Sequence, residues 1–158
     1  MKIESLDDAE RMVERFNGFH DGFIKRVELV SHDRFDQFGP DFTDRCQVCT
    51  GLFDAVLDFA HYNYDRDRQP VDRLVSCRFE AVKGFHLDLR NTELHDWVVN
   101  GVRINETSRP GPQGPETALK FHVTRSVLVD GERWEQREEA LFSFKRAFVE
   151  ERRSHENE

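Results

Sequence analysis

The chain has 158 residues, of which 37% are hydrophobic, a size that fits one domain with a core of its own. Its 31 acidic and 23 basic residues give a net charge of -8, a field that opposes a nucleic-acid backbone or an anionic membrane and favours a basic partner. Three cysteines do not make a disulfide framework, Met1-Lys2 leads into acidic Glu4, Asp7 and Asp8 instead of an apolar leader, and no apolar run approaches the ~20 residues of a membrane span, so a cytoplasmic protein is expected.

Ser5 is placed to cap a helix whose first turn holds Asp7, Asp8 and Glu10 at the positive end of the dipole. Ala9, Met12, Val13 and Phe16 recur at the spacing of one helical face, predicting a helix from Asp7 to Phe16 with Gly18 as its left-handed cap. His20-Asp21 then occupies a short turn before a strand from Phe23 to Val30, in which Phe23, Val27 and Leu29 face one side and Arg26 and Glu28 the other. Residues 31–42 hold the breakers of a loop or hairpin connection. From Arg45 to Phe59 alternation returns, changing parity near Gly51, with Phe53, Ala55, Leu57 and Phe59 on one face.

His61 to Pro70 reads as a polar loop that ends this strand. Val75, Cys77, Phe79 and Ala81 alternate next, and after Gly84 so do Phe85, Leu87 and Leu89, giving two strand segments or one long bent strand. Trp97 to Ile104 is a further apolar segment. Asn105 to Thr117, with Pro110, Pro112 and Pro115, reads as a long mobile break. Leu119 to Val129 alternate up to Asp130-Gly131, a strong hairpin signal, and the return arm through Phe142 and Phe144 is read as strand in preference to helix. The expected organisation is one domain over residues 1–149 and a charged, disordered tail over 150–158.

The pattern predicts an α+β fold: an N-terminal helix packed on a curved, mostly antiparallel sheet of ~6–8 strands, a partly open barrel lined by Phe23, Val27, Phe59, Phe79, Leu87, Phe121 and Val123.

Residues that could carry chemistry are scattered. Cys46-Gln-Val-Cys49 has the spacing of a zinc or redox pair, but a structural zinc needs four ligands and strand residues three apart face opposite ways. His20-Asp21, His32-Asp33, His95-Asp96 and His61 are placed beside turns or strand ends. None has compact metal-ligand spacing, so a metal site from His20, Asp21 and His61 would have to be assembled by the fold. There is no G-x-S-x-G elbow and no phosphate-cradling loop. The most binding-like stretch is His61-Tyr62-Asn63-Tyr64-Asp65, two amphipathic rings among polar groups.

Phe19-His20-Asp21 before a strand, Arg78-Phe79-Glu80-Ala81-Val82 in the middle and the closing Phe142-Ser143-Phe144 resemble a group of small bacterial proteins. Those proteins open on an F-H-D turn, carry an R-F-x-x-V strand and end on a strand, and some are assigned as immunity proteins of polymorphic toxin systems. The resemblance covers short patches and implies an intracellular α+β domain to which no catalytic residue carries over. The expectation is therefore a non-catalytic protein without a cofactor that binds a basic protein, through His20, Asp21, His61, Tyr62, Tyr64 and Asp65. A metal-dependent enzyme and a barrel for a small apolar ligand are the alternatives.

Overall fold

The computed structural model describes residues 1–37, 45–48, 51–64, 70–87, 98–129 and 132–153. Its elements are β1 (Lys2–Ile3), α1 (Leu6–Arg15), η1 (Asn17–Phe19, a 3-10 turn), β2 (Gly22–Ser31), β3 (Arg34–Gln37), β4 (Arg45–Val48), β5 (Phe53–Tyr64), β6 (Pro70–Val82), β7 (Val98–Gly111), β8 (Gly114–Val129), β9 (Arg133–Phe144) and β10 (Arg146–Arg153). Eight strands form one antiparallel sheet in the order β1-β10-β6-β5-β2-β7-β8-β9, and β3 and β4 pair separately. The sheet is curved and open: the end of β9 swings round to the stretch after β6, where Lys83 and Ser143 exchange both backbone hydrogen bonds, at 2.9 and 3.0 Å. This is the expected α+β architecture.

The helix forms where its caps dictate. Ser5 is extended (φ -132°), its hydroxyl accepts the Asp8 N–H at 3.2 Å, and the Asp8 carboxylate reaches back to the Ser5 N–H at 3.2 Å, a reciprocal capping box. Those hydrogen bonds, with Arg11 alongside, hold the Asp8 carboxyl down at about 2. Ala9, Met12 and Phe16 are buried on one face, and Gly18, at φ +64°, ends the run where only glycine is unstrained.

Phenylalanine builds the core. Phe16 meets Phe19 at 5.2 Å between ring centroids, Phe19 meets Phe59 at 4.9 Å, and Phe59 meets Phe121 at 6.4 Å. Phe79 then touches Phe121, Phe142 and Phe144 at 5.1, 4.9 and 5.0 Å. This line of rings runs from the helix along the concave face. Phe59, Phe79, Phe121 and Val123 are fully buried, and Val27 and Leu87 are partly buried against them and the rest of the core.

Several expectations are corrected. Phe23 is 42% exposed while Ile24 is 4% exposed, because the register shifts between Ile24 and Arg26 and the bulge inverts the parity of the first turn of β2. The expected break at Asn105 to Thr117 is instead the tip of a long hairpin, with Pro110 opposite Pro115 and Gly111 opposite Gly114. An antiparallel ladder alternates N–H groups toward and away from its partner, so prolines one step from a turn-closing pair remove no ladder bond there, and neither β2 nor β9 pairs that far along. Phe85 and Leu87 are not strand: β6 stops at Val82, Ala81 and Gly84 have positive φ (54° and 65°), and Phe85 stacks on Phe142 at 5.3 Å. Glu150 to Arg153, assigned by the sequence to the tail, belong to β10, paired with Ser76 to Arg73, and Glu151 is held by Arg15 and Arg73 at 2.8 and 2.6 Å. The Asp130-Gly131 turn lies outside the described residues, although Val129 does face Arg133 across it.

Candidate functional site

The β2–β5 register places Phe23 opposite Ala60, which brings the turn before β2 against the C-terminal end of β5. The approach is close at Gly22: a Cβ there would lie 3.0 Å from the Phe19 carbonyl oxygen and 3.1 Å from that of Ala60, with the His61 ring at 3.7 Å. Only a residue without a side chain fits. Two stretches that are 40 residues apart in sequence, His20-Asp21 and His61 to Tyr64, thus share one end of the sheet.

The turn is strained. Asn17, Gly18, Phe19 and Asp21 all have positive φ, at 48°, 64°, 59° and 62°. For a bulky residue such as Phe19 the left-handed region costs roughly 1–2 kcal/mol. Complete burial of its ring against Phe16 and Phe59 offsets that cost, since burying a Phe side chain contributes ≈ 1.5–3 kcal/mol. Strained backbone held in place by packing is a feature of functional sites. Its result here is to present His20 and Asp21 to solvent, with His20 Nδ1 2.9 Å from Asp21 Oδ2 and their side chains 56% and 75% exposed.

His61 has the opposite environment. The expected loop is strand through Tyr64, since tyrosine favours strands and His61 continues the inward parity of Phe59. Its ring is 2% exposed, packed edge-on against Phe19 at 5.8 Å and Phe16 at 6.2 Å. Neither ring nitrogen has a hydrogen-bond partner: the Phe16 carbonyl is near enough to favour a charged ring but does not meet hydrogen-bond geometry. Burial pushes the His61 imidazole below its ordinary value and Arg73 adds to this, while Glu151 and Asp21 oppose it. Tyr62 and Tyr64 hold positions opposite Asp72 and Pro70 in the β5–β6 pairing, and Asp65 lies outside the described residues.

These positions do not make a metal centre. His20 and Asp21 pair with each other at the surface while His61 is sealed among phenylalanines, and no group of three His, Cys, Asp or Glu side chains among the described residues could hold an ion. Cys46 lies opposite Asp36 in the β3–β4 pair, and Cys49 and the His95-Asp96 pair lie outside the described residues. Cys77 is fully buried, and burial pushes its thiol far up, which leaves it unreactive. No helix among the described residues is long and apolar enough to cross a membrane.

Sequence reading missed a second cluster, on the convex face of the sheet. His32 bonds not its neighbour Asp33 but Asp54, Nε2 to Oδ1 at 2.8 Å, and Asp54 also accepts Arg78 at 2.9 Å. Burial acts to raise the Asp54 carboxyl, but Arg78 and His32 outweigh it and hold it below its ordinary value. Asp58 accepts the Ser76 hydroxyl at 2.7 Å, and Arg146 joins Glu80. Next to them Val56, Ser76, Arg78, Glu80, Phe148 and Glu150 line a shallow depression of about 400 Å³. Only alternation of charge with Ala55, Leu57 and Phe59 hinted at this cluster, because cross-strand register is not written in any one strand. No family model, curated protein or solved structure matches the chain.

Proposed function

We propose that the protein is a non-catalytic binding domain whose docking end is the strained turn His20-Asp21 together with the end of β5 at His61 to Tyr64, and that its partner is a basic protein. The observation that carries this reading is the convergence of those two stretches at Gly22. The flank has an acidic excess: α1 carries Asp7, Asp8, Glu10 and Glu14 against Arg11 and Arg15, with Arg11 paired to Asp7 and Asp8, and Arg15 and Arg73 are both held by Glu151. Complementary charge speeds encounter and selects partners, and tyrosines such as Tyr62 and Tyr64 supply the type of anchor that dominates binding energy. The resemblance to immunity proteins points to the same partner class, a basic toxin or nuclease domain, and to a cytoplasmic setting.

The alternatives have less support. His61, which a metal or acid-base role would need exposed, is enclosed by Phe16 and Phe19, and the rings that would line an apolar-ligand cavity touch one another. The test is capture by tagged protein at low salt. Retention of a basic partner that is released by salt and weakened by Tyr62→Ala, Tyr64→Ala or Asp21→Ala is expected. A partner indifferent to all three substitutions and to salt would refute the reading.

A further inference from the structure

The buried imidazole at the base of this end has a consequence that does not depend on any partner. His61 is 2% exposed, it offers two ring nitrogens and satisfies neither, and its ring packs edge-on against both Phe16, the last residue before η1, and Phe19, the last residue within it. We propose that His61 is a pH-sensitive catch, holding the α1–η1 segment on the sheet while neutral and releasing it in mildly acidic solution. A charged imidazolium cannot remain unpaired in an apolar slot, because the desolvation of an ion far exceeds that of a neutral ring.

The charged groups facing the ring come from three elements. Asp21 comes from the turn before β2, Arg73 from β6 directly opposite His61 in register, and Glu151 from β10. Glu151 is already shared between Arg73 and the α1 residue Arg15. In the docked state it therefore has two guanidinium partners, and Asp21 is turned to His20. Against Phe16 and Phe19 a protonated His61 finds both facing carboxylates already engaged, with only the poorly aligned Phe16 carbonyl near it, and the segment packed on it is the one with three successive left-handed residues. Lifting it relieves that strain and frees both aromatic rings.

The sign follows from linkage. Burial lowers the folded-state affinity of His61 for a proton below the value of 6.5 that an unhindered ring has. The docked state is therefore favoured fully above pH 6.5 and loses that advantage as pH falls below it, with the opening equilibrium rising by up to about tenfold per pH unit. His122 is shifted the same way by burial and Arg103, so a global unfolding curve alone would mix the two.

The test is amide hydrogen exchange, corrected for intrinsic rates, between about pH 7.5 and 5.5. The reporters are the Phe16, Phe19 and His20 amides, which bond the Met12, Phe16 and Asn17 carbonyls. Their protection in the wild-type chain should fall steeply below pH 6.5 while amides of the β7–β8 pair hold. In His61→Leu, and in His61→Phe should the first pack poorly, the fall should vanish. Protection that is flat with pH in the wild-type chain, or that falls equally in both variants, would overturn the proposal.

Discussion

Arg109 Nη1 donates to the carbonyl of Ala81 at 2.7 Å, tying the tip of the β7–β8 hairpin to the end of β6. The same guanidinium reaches the Ser143 carbonyl at 3.2 Å and Glu116 at 2.8 Å, and Lys83 adds a bond to the Pro110 carbonyl at 2.8 Å. Arg109 is 7% exposed, so these bonds are made away from water and hold β6, β7, β8 and β9 together where the end of β9 meets the stretch after β6. Arg109→Met should lower stability by about 3 kcal/mol in urea denaturation, as two carbonyls lose a charged donor, and Arg109→Lys should recover only part of it. Wild-type stability in Arg109→Met would mean that the hairpin tip is not held in this way.

The inverted parity at the start of β2 gives a sharp contrast. Ile24→Ala should lower stability by about 2–5 kcal/mol, whereas Phe23→Ser, the larger change in hydrophobicity, should stay within about 0.5 kcal/mol. Equal losses at the two positions would restore the uninterrupted alternation that the sequence suggests.

What was legible in this sequence was whatever is local. Ser5, Asp8 and the Ala9-Met12-Phe16 stripe mark the helix, and the alternation in β5, β6 and β8 places Phe59, Phe79 and Phe121 inside. What required register was hidden. The bulge at Ile24/Arg26, the pairing of Pro110 with Pro115, and the carboxylate of Asp54 meeting His32 and Arg78 all depend on which strand lies beside which. The candidate site was half legible: His20, Asp21 and His61 were visible as chemistry-bearing residues, but not that two of them would face solvent and the third would be sealed inside. Charge in Glu150 to Arg153 suggested a loose tail because sequence does not show that Arg15 and Arg73 wait for Glu151.

The capping box fixes a pH dependence at the acidic end of the scale. Asp8 has its carboxyl held at about 2, chiefly by the Ser5 hydroxyl, so the contribution of the box is complete above the ordinary carboxylate range and is lost as pH falls toward 2. In Ser5→Ala, an NMR titration of the Asp8 carboxyl should move up toward the ordinary value, and the first turn of α1 should fray. An unchanged titration would remove the hydroxyl from the account.

Glycine at positions 18 and 22 serves two separable needs. A Cβ on Gly18 meets nothing within 4 Å, so Gly18→Ala should cost about 1 kcal/mol through backbone strain alone. Gly22→Ala sets a methyl against two carbonyl oxygens and should cost about 1–3 kcal/mol while moving the His20-Asp21 turn away from β5. Of the two, only Gly22→Ala should weaken partner binding beyond its effect on stability, as read by affinity at a temperature where both variants are folded.

The central claim is that the F-H-D turn and the end of β5 act as one docking end, and the most direct test is a hydrogen-exchange footprint of the chain bound to the partner it retains at low salt. Protection on binding should appear together in residues 16–22 and 59–64 and stay small around the convex-face depression at Ser76, Arg78, Glu80 and Phe148. A footprint centred on Val56, Arg78 and Phe148, with residues 16–22 exchanging as in the free chain, would contradict it.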